Sequence, residues 1–187
     1  MPSDAVSAAG RAAHDLALAA LVGGNLFARV AMHPALADIG DQAERGKVLN
    51  HSWRRYGTVN SAALGLLVAG WLPARRSEAA DRWLSPRERQ LAQAKDVTMG
   101  AVVLTGLAAA AGGVGFAQQA SGGAVPLASG SVPAAETPRR AAVLKRAMNL
   151  LGGLNLASEV ALVGVNAALA QTNFRRPPAR RLLRRRY

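Results

Sequence analysis

The chain has 187 residues and a formal net charge of +12; half of it is apolar, yet only 4% is aromatic, and the mean hydropathy is +0.10. That length suits one domain, and the absence of cysteine excludes disulfides, thiolate nucleophiles and Cys-ligated zinc or iron–sulfur sites. The apolar mass is mostly Ala, Leu, Val and Gly, small residues of the kind that let transmembrane helices approach closely, so the position of the charges must decide between nucleic acid, anionic lipid and a membrane topology.

Leu16 to Ala35 is the first apolar window, broken only by Arg29 and His33, and it predicts a span over about residues 12–35. The "ALA" at 35–37 before Asp38 resembles a signal-peptide cleavage site. A weakly basic start, and Asp15, Arg29 and His33 in the apolar stretch, argue that the span is retained. Tyr56 to Ala74 is the second window, with a predicted span at 56–74. In the basic connection that follows, "SPRE" at 85–88 predicts a helix start, with Ser85 as N-cap, Pro86 at N1 and Glu88 closing a capping box. No charged residue occurs from Val97 to Ala135, and the third span is expected at 97–119. Up to Phe116 this window offers only Thr98 and Thr105, whereas a soluble amphipathic helix shows a polar face at 3.6-residue spacing. "SGGAVPLASGSVPAA" at 121–135 has the composition of a flexible loop. "ETPRR" at 136–140 offers Thr137 as cap and Pro138 as first residue of a helix to Phe174. It contains a span at 147–170 and, at about 55 Å, projects beyond a bilayer.

The expectation is an all-α integral membrane protein, an antiparallel four-helix bundle over residues 1–174 with an Arg-rich cytoplasmic tail at 175–187. An even number of spans puts both termini and the 75–95 connection on one side, with 14 Lys/Arg against eight on the other. The positive-inside rule makes the richer side cytoplasmic. Arg175, Arg176, Arg180, Arg181, Arg184, Arg185 and Arg186 are read as anionic-lipid contacts beside Leu182 and Leu183, not as a nucleic-acid site, because only Phe174 and Tyr187 are there to stack. The preference for arginine over lysine and the abundance of alanine resemble high-GC bacterial genomes, which places the chain in a bacterial cytoplasmic membrane.

Polar residues inside the windows form stripes. Asn25, Arg29 and His33 are spaced by four; Asn155 and Glu159 likewise, with Asn166 seven further on; Tyr56 and Asn60 open the second window. Counted from the helix ends, Asn25 and Asn155 lie at one depth, and Arg29 is within side-chain reach of Glu159. Ionised groups facing lipid cost a few kcal/mol or more, so these residues are expected to face one another inside the bundle. Two readings stand side by side: a polar clamp that sets helix registry, and an outer-leaflet cavity in which Glu159 accepts a proton or binds a cation. His14 and His33 are about 28 Å apart along one helix and cannot share a metal, while His33 and His51 meet only if both lie at the outer rim. No metal or cofactor is expected. Walker, dinucleotide, HExxH and nucleophile-elbow motifs are absent.

The run "GGNLFARVAMHPAL", with "WRRYG" some twenty residues later, resembles the start of small four-helix membrane proteins of the anthrone-oxygenase-like group. The resemblance covers about residues 20–75. It implies a four-span bundle and allows oxygenase-type chemistry on a nonpolar substrate. The leading expectation is a structural or accessory membrane subunit with a polar intramembrane cluster. Its small-residue faces, Thr105/Ala109/Gly113 and Gly164/Ala168, would bind partner helices or a second copy. A membrane enzyme with a lipophilic substrate and a proton- or solute-coupled transporter are the alternatives.

Overall fold

The computed structural model describes residues 4–174 apart from 77, 78, 81 and 83; the arginines from 175 onward lie outside the described residues. Among these residues the chain is all-helical, with four long helices and no strand beyond one isolated bridge between Leu127 and Pro133. Helix α1 spans Asp4–Phe27. Its path continues through a π-helical stretch, Ala28–Met32, an α turn, His33–Ala35, and a 3-10 turn, Leu36–Asp38. Pro34 explains the widened turn. A proline within a helix lacks a donor and crowds the carbonyl four residues back, here Val30, and a π turn opens the space to relieve it.

Helix α2 spans Gln42–Arg76, some fourteen residues longer at its start than the apolar window alone implies. The physical reason is a cap. Asp41 Oδ1 accepts from the backbone N–H of Ala43 at 2.7 Å and of Glu44 at 2.9 Å, so a helix starts directly after a three-residue turn. Arg45, Lys47, Arg54 and Arg55, read above as part of a connection, therefore lie on a helix. Helix α3 spans Pro86–Ala117 and starts as its sequence predicts: Ser85 Oγ accepts from Glu88 N, and the Glu88 carboxylate accepts from Ser85 N at 2.9 Å. Helix α4 spans Arg139–Phe174. The hydroxyl of Thr137, just before it, donates to the Pro126 carbonyl and so ties the helix start to the preceding segment.

The 118–138 segment departs from expectation most. Its Gly/Ser/Pro composition suggests a flexible loop, but it forms an ordered lid over one end of the helices. Val125 and Leu127 are fully buried with Leu36, Leu49, Phe116 and Ala141. Arg45 donates to the Ala128 carbonyl at 2.7 Å, Asn50 to the Gly123 carbonyl at 2.6 Å and Asn149 to the Ser131 carbonyl at 2.6 Å. The Gly130 N–H reaches the His33 carbonyl at 3.0 Å. Gly46 lets the lid come this close, since a Cβ there would overlap the Val125 carbonyl. Two apolar anchors and side-chain donors from α2 and α4 thus hold a backbone whose own secondary structure is one 3-10 turn, Ser121–Gly123, and the Leu127–Pro133 bridge.

A second apolar core lies toward the other end, built from Leu18 and Leu21 of α1, Leu67 and Trp71 of α2, Ala92, Met99 and Val102 of α3 and Leu162 of α4. Packing is strongest between α1 and α2 and between α3 and α4. The outside of the bundle is apolar: Leu16, Val30, Val97 and Leu104 are each about 70% exposed. All four helices are long and apolar enough to cross a membrane, and at most 22% of each one's most apolar window is buried within the protein.

Candidate ligand chamber and polar clamp

Between the two cores lies a chamber of about 660 Å³ to which all four helices contribute. One wall is the small-residue side of α3, including Gly106, Ala109, Ala110, Gly113 and Val114; α2 supplies Leu49, Asn50, Trp53, Arg54, Gly57 and Asn60. These two helices are held together farther down, where Trp71 Nε1 donates to Asp96 Oδ1 at 2.7 Å and Arg75 Nε donates to Asp96 Oδ2 at 2.8 Å. Beyond that contact Leu64 still packs close to Gly106, and residues of both helices from there toward the lid line the chamber. The lid closes the top through Gly122, Gly123 and Ser131.

Asn25 and Asn155 form the floor, and the expected level match between them is a direct contact. Asn25 Nδ2 donates to Asn155 Oδ1 at 3.0 Å and to Glu159 Oε1 at 2.8 Å. Asn155 in turn donates to the Val102 carbonyl and to Thr105 Oγ1, each at 3.0 Å. Three helices, α1, α3 and α4, are thereby clamped by a connected set of side-chain bonds. Glu159 is fully buried, and its Oε2 has no hydrogen-bond partner among the described residues. It does not line the chamber but sits beneath it, with Asn25 and Asn155 between.

Arg29 is not brought to Glu159. Its Nη2 donates to the Asn149 carbonyl at 3.2 Å and lies over Gly152, where an added Cβ would come within 3.0 Å. Two features direct it there. Asn25 already donates to Glu159 Oε1, and the Gly152–Gly153 pair leaves room for the guanidinium. Asn25, Arg29 and His33 all line the chamber. Four residues of α-helix overshoot a full turn by about 40°, and the π turn between Asn25 and His33 takes part of that back. His33 meets Trp53 edge-on at 6.3 Å between ring centroids, rather than His51, which is exposed. Asn60 stands on the α2 wall.

Asn166 belongs to another cluster, at the end opposite the lid. Its amide is 3.3 Å from His14 Nε2 and 3.5 Å from Asp15 Oδ1. His14 Nδ1 lies 2.8 Å from the Leu67 carbonyl, an acceptor only, which puts the ring proton on Nδ1 and leaves Nε2 to accept from Asn166. Nearby, the Lys95 ammonium lies 4.1 Å from the centre of the Trp71 ring.

Several chamber residues escape the sequence reading: Lys145, Asn149, Asn50, Trp53 and Arg54. A signal for two of them exists. Residues 145, 149, 152, 155 and 159 recur at intervals of three and four, so extending the Asn155/Glu159 stripe one turn at a time toward the start of α4 reaches Asn149 and Lys145. The proposed partner face of α3 also points elsewhere than expected: Thr105 serves the clamp, and Ala109 and Gly113 line the chamber. Gly164 is exposed on α4, with open space around it. Comparison with protein-family models, with characterised proteins and with solved structures returns no match. Both stretches that carry the family resemblance contribute to the chamber, through Asn25, Ala28, Arg29 and His33 and through Trp53, Arg54 and Gly57.

Proposed function

We propose that this is an integral membrane protein, an antiparallel four-span bundle with both termini in the cytoplasm, that holds a lipophilic small molecule in its chamber. The observation that carries the reading is the chamber itself: about 660 Å³ between four apolar helices, with a small-residue wall on one side and amide and basic groups on the others. Small-molecule sites commonly fall at about 300–1,000 Å³, mostly apolar with a few placed polar groups. Close approaches support the antiparallel arrangement, Gly10 to Gly70 and His14 to Leu67 between α1 and α2, Gly112 to Met148 and Gly115 to Leu144 between α3 and α4. With both termini inside, the lid faces outward and the chamber draws on the outer leaflet. The polar clamp then serves as a rigid floor rather than as the reactive group.

An accessory subunit that works only through its outer faces is less well supported, because the small-residue stripe of α3 is used inside. A membrane enzyme acting on the chamber's occupant is the second reading. It is favoured by the contribution of both resemblance stretches to the chamber walls, with oxygenase-type chemistry on a nonpolar substrate as the class implied.

The test is occupancy. The full chain, purified in a mild nonionic detergent and examined by native mass spectrometry, should carry a small lipophilic adduct near one per chain. Ala109→Trp and Gly113→Leu fill the space from the α3 wall and should abolish the adduct while circular dichroism stays helical. Equal occupancy in the filled variants would refute the chamber as the site, and so would an empty wild-type protein that takes up no added lipophile.

A further inference from the structure

The chamber has an electrostatic character that its volume alone does not convey. Lys145 is only 3% exposed, yet its ammonium makes no hydrogen bond or ion pair among the described residues and is met only by the Phe116 ring, 5.6 Å from its centre. Arg29 uses one of its five N–H groups, on the Asn149 carbonyl. His33, whose Nε2 is buried without a partner among the described residues, lines the same chamber as Arg29 and Lys145. No aspartate or glutamate lines the chamber. Glu159, the buried acid nearest to it, is below the floor and engaged by Asn25. A buried ammonium without a counter-charge is costly, and proteins normally pair such groups or bind something that pairs them. These groups cluster beneath the lid, whereas the Ala109–Val114 side of α3 is apolar.

We infer that the chamber's occupant is a single-chain amphiphile with an anionic head, its carboxylate or phosphate oxygens held at the lid end by Lys145 and Arg29 and its hydrocarbon lying along the Ala109–Val114 wall. This deepens the proposed function and rests on it. A planar guanidinium and an ammonium converging on one head supply charge-assisted hydrogen bonds of the stronger kind. Trp53 forms part of the wall and reports on the chain's presence.

The experiment uses the full chain in nonionic detergent and follows tryptophan emission during titration with 9,10-dibromostearate, with the matching dibromostearyl alcohol in parallel. Bromine quenches at short range. The acid should quench saturably near one per chain, and the alcohol should need at least tenfold higher concentration. Trp53→Phe should remove the saturable component. Lys145→Gln should shift the midpoint for the acid about tenfold and leave the alcohol unchanged, and Lys145→Arg should restore it. A brominated alkyl phosphate in a third arm distinguishes a phosphate head from a carboxylate. Equal midpoints for acid and alcohol in the wild-type protein would overturn the anionic-head assignment while leaving the chamber intact, and this comparison needs no variant to fold. If neither probe quenches Trp53, the chamber reading fails as well.

Discussion

Asn155 carries more of the clamp than any other single residue. It accepts from Asn25 and donates to Val102 and Thr105, so it joins α1, α3 and α4 through one amide. Asn155→Leu keeps the number of side-chain heavy atoms but removes the acceptor of one Asn25 N–H and the amide that binds the Val102 carbonyl and Thr105, and a buried group left unpaired costs about 1–3 kcal/mol. The thermal midpoint in detergent should fall clearly. Glu159→Gln should be milder, because the amide oxygen still accepts from Asn25; and since Glu159 sits below the floor, ligand occupancy should be retained. Loss of occupancy in Glu159→Gln with an unchanged midpoint would put the carboxylate in the site and contradict this placement. Ser85→Ala tests the capping box separately. It should cost about 1 kcal/mol, as removal of an N-cap typically does, and be nearly silent for binding.

The lid decides whether the chamber is closed, and Gly46 decides how the lid sits. Any side chain at 46 drives into the Val125 carbonyl. Gly46→Val should therefore lift Val125 and Leu127 out of their core, loosen the Arg45 and Asn50 bonds, and expose 121–135 to proteases in otherwise intact protein. Limited proteolysis reads this directly, since the wild-type segment has its carbonyls engaged and should resist. The π turn at Ala28–Met32 is the comparable device on α1. There a backbone feature, not an unusual side chain, aims Arg29 and His33 into one space.

Across the described molecule, large apolar side chains such as Leu16, Val30, Val97 and Leu104 stand exposed on the helices, where a soluble bundle shows a polar face. Purified chain should need detergent or lipid to remain monodisperse, and a stable, dispersed protein in plain buffer would refute the membrane reading. The absence of cysteine makes topology easy to test. Arg87→Cys and Glu136→Cys place single thiols at two exposed positions, at the start of α3 and in the lid segment. An impermeant maleimide added to intact cells should label the second and spare the first. The reverse pattern would invert the bundle and move the chamber to the cytoplasmic leaflet.

The four helices, the Ser85 cap and the Asn25–Asn155 level match were legible in the sequence because each depends on local periodicity or on counting along a helix. The early start of α2 is written in Asp41, the cap, but the residues after it are too polar for an apolar window to mark them as helix. Other features depend on contacts far apart in the chain. That "SGGAVPLASGSVPAA" forms a lid rests on what Arg45, Asn50 and Asn149 do with its carbonyls. That Arg29 turns to Asn149 rather than Glu159 rests on the room left by Gly152. The sequence by itself determined which segments become helices and which residues are too polar to face oil, since both follow from composition and spacing. Only the tertiary structure decided that the four helices leave a void lined by cations with no ion pair among the described residues, because a void is set by how far apart whole helices stand.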